Sequence, residues 1–577
     1  MQFIQALFFL LVRTVILAVA TPIMLFYLAV WLMLGTLVGV FVMAFFRAGV
    51  FGLSGFDDPT TVLGWIGFSI FYLAIWCTVI WLWLDYSGFA KLFRRGNDDS
   101  HGSARFASKK ELRALEQTNG LLIGRNPETG KLLFYDGPAH LLTLAPTRAG
   151  KGVGTVIPNL LAAERSVLVI DPKGENARIT WAAREDMGAV HVLDPFEVSG
   201  RPSAAYNPLD RLSADSPDLS EDATSLADAL VVDPASQVGD AHWNEEAKAF
   251  LGGLIMFCVA HEEPARRNLG AVREYLTLPP DRMKALLELM QDSDAADGLV
   301  ARAANRFAGK AEREAASVLS NAQRHTHFLD SPRIAKCMAR SDFQFSDLRD
   351  RITSVFLVLP PNRLDAYSRW LRLLVSQALQ DIARDAEQMA SVAVSQRATQ
   401  ASPALSKAPA APVARQKASD PPLGAALFLL DEFAALGRLE TVERAMGLMA
   451  GYGLQLWPIL QDMSQLRDLY GQRASTFVAN AGVQQVFGVN DYETAKWLSQ
   501  TMGQGTIGYQ TESRKSGDMP TTGTSITGRD LLTPDEIMQL PPELQLLRVQ
   551  GQPTAIAGKL RYYADREFEG LFVPENQ

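Results

Sequence analysis

Lys151 is the residue around which chemistry can be built. It lies near the end of the turn Ala145-Pro146-Thr147-Arg148-Ala149-Gly150-Lys151-Gly152, between the apolar run LLTL and the apolar segment VGTVIPNLL. A lysine closing a small-residue turn between a strand and a helix is the arrangement of a Walker A loop. Backbone N–H groups and the helix N-terminus face nucleotide phosphates, and the ammonium reaches the terminal two. Gly150 lets the backbone approach closely. Two positions depart from the pattern: Ala145 replaces the first glycine, and Gly152 stands where a Ser or Thr hydroxyl would meet Mg²⁺. All eight residues are expected to contact ATP, while Gly152 offers no hydroxyl to the metal.

The complementary chemistry lies far downstream. The apolar run Ala425–Leu430 ends in Asp431 and Glu432, as a Walker B strand requires. Asp431 is expected to hold Mg²⁺ through its water shell, and Glu432 to polarise the attacking water. A second apolar run, Leu454–Leu460, ends in Gln461, whose amide is placed to contact the γ-phosphate or the attacking water. Lys151, Glu432 and Gln461 are therefore the expected catalytic residues, and Asp431 the metal-binding one.

These groups need a sheet to bring them together. Ser166–Ile170, Ala189–Leu193, Thr353–Leu359 and Gln485–Val489 are short unbroken apolar runs of the kind found in parallel strands covered on both faces. The first ends in Asp171-Pro172-Lys173-Gly174-Glu175, expected at the ligand edge of the sheet, next to the strand that carries the loop. From Tyr206 to Arg340 helical periodicity takes over, as in Trp243–Ala260 and Arg282–Met290, which predicts an all-helical insertion. Leu364–Gln388 predicts an amphipathic helix, and 389–422, rich in Ala, Ser, Gln and Pro, a disordered linker. The nucleotide-binding α/β domain, a parallel sheet with covering helices, would thus be assembled from 97–205, 341–388 and 423–577.

The 577 residues exceed one core and imply several units. Residues 14–46 contain no charge, about 50 Å as a helix against a hydrocarbon core of about 30 Å, and 61–84 form a second apolar run. Residues 1–96 are accordingly expected to be a membrane anchor with two spans. Arg13 before the first span and Lys91, Arg94 and Arg95 after the second place both termini in the cytoplasm. Net charge is −8, and the part beyond residue 90 still carries −7, so bulk charge does not argue for nucleic acid; any such contact must be local. Cys77, Cys258 and Cys337 are too widely spaced for a metal cluster or a disulfide framework.

Taken in order, HGSAR at His101–Arg105, APTRAGKG at Ala145–Gly152, DPKGE at Asp171–Glu175, YNPLD at Tyr206–Asp210, LLDEFAALGRL at Leu429–Leu439, Gln461, and GRDLLTPDEI at Gly528–Ile537 resemble the coupling proteins of type IV secretion and conjugation systems, in the TraG-like branch. That resemblance implies a multi-pass bacterial inner-membrane protein with a cytoplasmic RecA-like motor and an inserted all-alpha domain. It also implies an ATP- and Mg²⁺-dependent hexamer that hands a relaxase-bound single DNA strand to the secretion channel. The relaxosome, the channel components and their inner-membrane ATPases are the implied partners. A membrane receptor that docks protein effectors and uses nucleotide mainly to assemble is the alternative. An arginine acting across a subunit boundary is expected, with Arg438 and Arg444 as candidates.

Overall fold

The computed structural model describes Met33 and residues 100–231, 241–401, 425–448, 451–513 and 521–573. Met33 apart, all of these lie in the second of two compact units, Met1–Asp98 and Asp99–Gln577. The spans expected at 14–46 and 61–84 fall, apart from Met33, outside the described residues. No helix among the described residues is long and apolar enough to cross a membrane.

The strands in chain order are β1 (Leu121–Arg125), β2 (Leu132–Tyr135), β3 (His140–Leu144), β4 (Val167–Asp171), β5 (Ala189–Leu193) and β6 (Thr353–Val358). There follow β7 (Ala426–Leu430), β8 (Leu454–Leu460), β9 (Ala481–Val486), β10 (Gln504–Ser513), β11 (Thr521–Asp530), β12 (Leu544–Val549) and β13 (Ala555–Gly558). Eleven of them form one sheet in the order β2-β1-β13-β12-β9-β3-β8-β7-β4-β6-β5. From β9 to β5 every pairing is parallel. The apolar runs explain why: a strand covered on both faces sends alternate residues to opposite cores. In β7, Ala426, Phe428 and Leu430 join one buried cluster and Leu427 and Leu429 the other. In β4, Leu168 and Ile170 part from Val167 and Val169 in the same way.

The sheet departs from the expected all-parallel form at one end, where β12, β13, β1 and β2 add antiparallel strands to β9. Short connections require this within two of the pairs: β1 and β2 are joined through 126–131, and β12 and β13 through Gln550–Thr554, far too few residues for a parallel crossover. Two further corrections concern the site. The strand expected at Gln485–Val489 lies earlier, at Ala481–Val486. The strand ending in Asp171 is not beside the loop-bearing β3, because β8 and β7 lie between them.

Helices from Leu219 to Cys337 fill the interval between β5 and β6. Their centre is Ala241–His261, where every residue from Phe250 to Val259 is buried, as expected of a helix surrounded by others. The helix starting at Leu364 runs on to Ala401, so 389–401 is helical and not the disordered linker expected there; a lengthening amphipathic stripe and Ala-rich composition favour continuation. This helix grips the insertion side through Tyr206 Oη, which donates to Asp381 at 3.2 Å, and through Arg211, paired with Asp381 at 3.2 Å and Asp385 at 3.0 Å.

The hairpin β10–β11 stands apart from the main sheet, and the HGSAR segment joins it through a single antiparallel bridge between Ser103 and Gly505. Ala104 N–H donates to Gln504 O at 3.0 Å, and Thr506 N–H to Gly102 O at 3.2 Å. Gly102 has φ +143°, and a Cβ there would come within 2.2 Å of Gln504 O, so only glycine permits the approach.

Candidate functional site

The turn after β3 is held at both ends. Ala145 N–H donates to Leu460 O at 2.9 Å, and Gly154 N–H to Gly150 O at 2.8 Å. Gly150 has φ +95°, a conformation costly for any side chain even though nothing would crowd a Cβ there. Pro146 and Ala149 are partly buried, while Thr147 and Arg148 are exposed, Arg148 with φ +65°. The following helix begins with a wide π-type turn, Gly152–Val156, and tightens into an α-helix over Ile157–Ala162.

A buried polar network supports this turn from behind, and its members were not singled out from sequence. Gln485 Oε1 accepts from Thr143 Oγ1 at 2.8 Å and from Thr155 Oγ1 at 3.1 Å, so β9, β3 and the helix after the loop share one acceptor. Gln485 Nε2 donates on to Gln545 Oε1 at 2.7 Å. Buried amides of this kind are stable only when paired, which makes the arrangement rigid.

The expected catalytic residues converge. Lys151 Nζ donates to Glu432 Oε1 at 2.8 Å and lies 3.8 Å from Asp431 Oδ1. Gln461 Nε2 donates to the other oxygen, Glu432 Oε2, at 3.1 Å. Three chain segments thus meet at one carboxylate, Lys151 coming from 281 residues before Glu432 and Gln461 from 29 residues after it. Glu432 sits at φ +47°, ψ +43°, a left-handed conformation uncommon for a side chain of its size; it turns the chain sharply off the end of β7.

Burial, the largest single influence, pushes the Glu432 carboxyl up, but the hydrogen bond and charge of Lys151, joined by Gln461 and Lys173, together outweigh it and hold the group below the ordinary value. Asp431 goes the other way: burial raises it despite the attraction of Lys151. Asp171, in register next to Asp431 through the β4–β7 pairing, is pushed up to about 7 by burial, partly offset by the Ala177 N–H that donates to it at 2.8 Å. Two carboxylates at adjacent strand ends, both disfavoured as bare anions, suit a hard divalent cation held by oxygen ligands and water. The space where a hydroxyl would sit on residue 152 is open, with no atom within 4 Å of a Cβ built on Gly152. The exposed Lys173 of the DPKGE segment adds positive charge that lowers both Asp431 and Glu432.

Arg372 is a further residue that sequence reading missed. It is 5% exposed on the long helix and donates through Nη1 to Leu436 O at 2.6 Å and Arg438 O at 2.7 Å, gripping the loop that follows the two acids. A lone arginine inside an amphipathic pattern carries no signal of such a role. Of the two candidate arginines, Arg438 is partly exposed and lies 3.7 Å from Glu440 and 3.6 Å from Glu443. Arg444 is exposed on the next helix.

Comparison with known proteins bears on what such a site serves. Residues 104–395 and 412–575 match the family described as type IV secretory system conjugative DNA transfer. The chain is 31% identical to the conjugal transfer protein TraG of Escherichia coli over 490 residues, spanning 78% of this chain and 72% of that protein. It is 28% identical to the protein VirD4 of Rhizobium radiobacter over 525 residues, spanning 87% of this chain and 70% of that protein. Among solved structures, the conjugative coupling protein TrwBdeltaN70 superposes with TM-score 0.56 at 17% identity over 79% of this chain and 92% of its own. The plasmid coupling protein TrwB in complex with ADP and Mg²⁺ gives TM-score 0.55 at 18% identity over 79% and 94%. At that identity the likeness establishes the fold alone.

Proposed function

The chain belongs to the type IV secretory system conjugative DNA transfer family, and from that premise we propose that it is an ATP-hydrolysing coupling protein that drives a relaxase-bound single DNA strand into a secretion channel. The observation that carries the reading is the meeting of Lys151, Glu432 and Gln461 at one carboxylate beside Asp431. Solved TrwB complexes with ADP and Mg²⁺ and with a non-hydrolysable ATP analogue support nucleotide use on the same fold.

The roles follow from the geometry. The backbone of Ala145–Gly152 cradles phosphates, and Lys151 turns from Glu432 to the terminal ones. That transfer frees the Glu432 carboxylate to accept a proton from water, while Gln461 keeps it oriented. Asp431, with Asp171 beside it, would hold Mg²⁺, which when bound would supply neutralising charge for the phosphates. With both carboxylate oxygens accepting from these donors, Glu432 is a poor base until Lys151 turns to the phosphates.

Further parts of the proposal rest on family membership: a two-span anchor in the inner membrane, a ring, expected to be a hexamer, with sites at subunit boundaries, an Arg438 or Arg444 acting across them, and recognition of the relaxosome by the helical insertion. A net-acidic body can move a polyanion only if its basic groups line the passage. The test is ATP turnover by the full chain against single-stranded DNA, salt and protein concentration. Stimulation confined to the assembled form, with binding that weakens steeply as salt rises, is expected. Turnover indifferent to DNA in the assembled form refutes the pump and leaves the effector-docking receptor.

A further inference from the structure

The acids and Gln461 all approach the phosphate loop from one flank, off β7 and β8. The opposite flank, toward β9 and the antiparallel strands, carries a different group. Lys559 follows β13, and its backbone is pinned by an N–H bond to Glu543 O at 2.8 Å. Its ammonium donates to the carbonyl of Ala149 at 2.9 Å, two residues before Lys151. It also stands 5.0 Å above the ring centroid of Phe487, which is 1% exposed at the end of β9. The next residue, Leu560, is buried against Ile157 and Leu161 of the helix after the loop. Residues 558–560 therefore run along the loop and its helix, with the ammonium aimed at the loop's backbone.

This cation is only partly exposed, and among the described residues no carboxylate lies within ion-pair distance of it. Burial, with the nearby Arg561, lowers its pKa despite the more distant attraction of Glu543. One of its three N–H donors serves Ala149 O, leaving two for something else. A desolvated ammonium beside an anion-binding loop is stabilised by an anion arriving there. If the terminal phosphates lie toward Lys151 and the acids, the remainder of the nucleotide must leave toward the other flank, where Lys559 stands.

We propose that Lys559 is a second cation of the nucleotide site, holding the phosphate nearest the nucleoside while Lys151 serves the terminal ones. The inference rests on the nucleotide reading of the 145–152 loop and adds a ligand contact from a segment more than 400 residues away. The contact is made by charge, so ATP and ADP, which share that phosphate, should depend on it equally.

The experiment measures ATP and ADP affinity of the full chain, using fluorescent analogues, in wild type, Lys559→Met, Lys559→Arg and Lys151→Met. Met keeps the aliphatic stem over Phe487 and removes only the charge. Lys559→Met is expected to weaken ATP and ADP alike by about tenfold and to reduce the salt dependence of binding, with Lys559→Arg restoring both. The melting midpoint without nucleotide should not move. Unchanged affinity in Lys559→Met overturns the proposal. So does weaker binding with an unchanged salt dependence, which would make Lys559 a prop for the Ala149 carbonyl and nothing more. If Lys151→Met also binds normally, the loop itself has been misread and both readings fall; if only Lys151→Met is impaired, Lys559 alone is refuted.

Discussion

Glu432→Gln should bind ATP more tightly than wild type while hydrolysing it far more slowly. Lys151 donates to Glu432 at 2.8 Å, so a nucleotide that recruits Lys151 must break that pair. The Glu432 side chain is 31% exposed, which screens the interaction and puts the pair at about 1–2 kcal/mol. A neutral amide oxygen still accepts from Lys151, at roughly half the strength of the charged one. The variant therefore no longer forfeits about 1 kcal/mol when nucleotide binds, which corresponds to about fivefold tighter binding. Loss of the base should slow turnover by about 10²- to 10⁴-fold. Titration with a fluorescent ATP analogue and phosphate release on the same samples give both numbers. Unchanged or weaker affinity would show that the Lys151–Glu432 pair does not compete with ligand, and turnover within tenfold of wild type would remove Glu432 from the chemistry.

Lys151→Ala should abolish turnover, because it removes the cation meant for the terminal phosphates, and should lower the melting midpoint modestly, because it also leaves Glu432 without its 2.8 Å partner; near-normal phosphate release would sink the loop assignment. Arg372→Met should leave two carbonyls, Leu436 O and Arg438 O, without their buried donor. A cost of about 2–4 kcal/mol is expected in thermal unfolding, with a fall in kcat as the loop behind Glu432 loosens; normal kcat would limit Arg372 to packing. The fourth prediction concerns pH. Asp171 is raised to about 7 in the folded chain, so it keeps its proton where the unfolded chain has lost it. That penalty is absent below about pH 4, grows as pH rises, and is complete above about pH 7, at up to about 4 kcal/mol. Asp171→Asn should flatten this fall in stability, read as melting midpoints across the range; an unchanged slope would show that Asp171 is charged when folded.

Much of the site was legible one segment at a time. A small-residue turn ending in lysine, an apolar run ending in Asp-Glu and another ending in Gln each carry their meaning locally, because backbone conformation and two-sided burial leave their mark within a few residues. The helices between β5 and β6 left the same kind of mark: helical periodicity replacing short apolar runs is a local signal. Strand order was not. An unbroken apolar run says that both faces are covered but not which strand lies alongside, and so the strand ending in Asp171 was expected next to the loop, whereas it lies next to Asp431. The antiparallel extension was missed because two of its pairings, β12 with β9 and β1 with β13, join segments far apart in the chain. Arg372, Gln485 and Lys559 act on carbonyls and amides brought near only by folding, and a carbonyl has no identity in sequence. The residue types that could do chemistry were therefore set by sequence, whereas their partners, charge states and flanks of approach were decided by the tertiary structure, because hydrogen bonds and burial act through space.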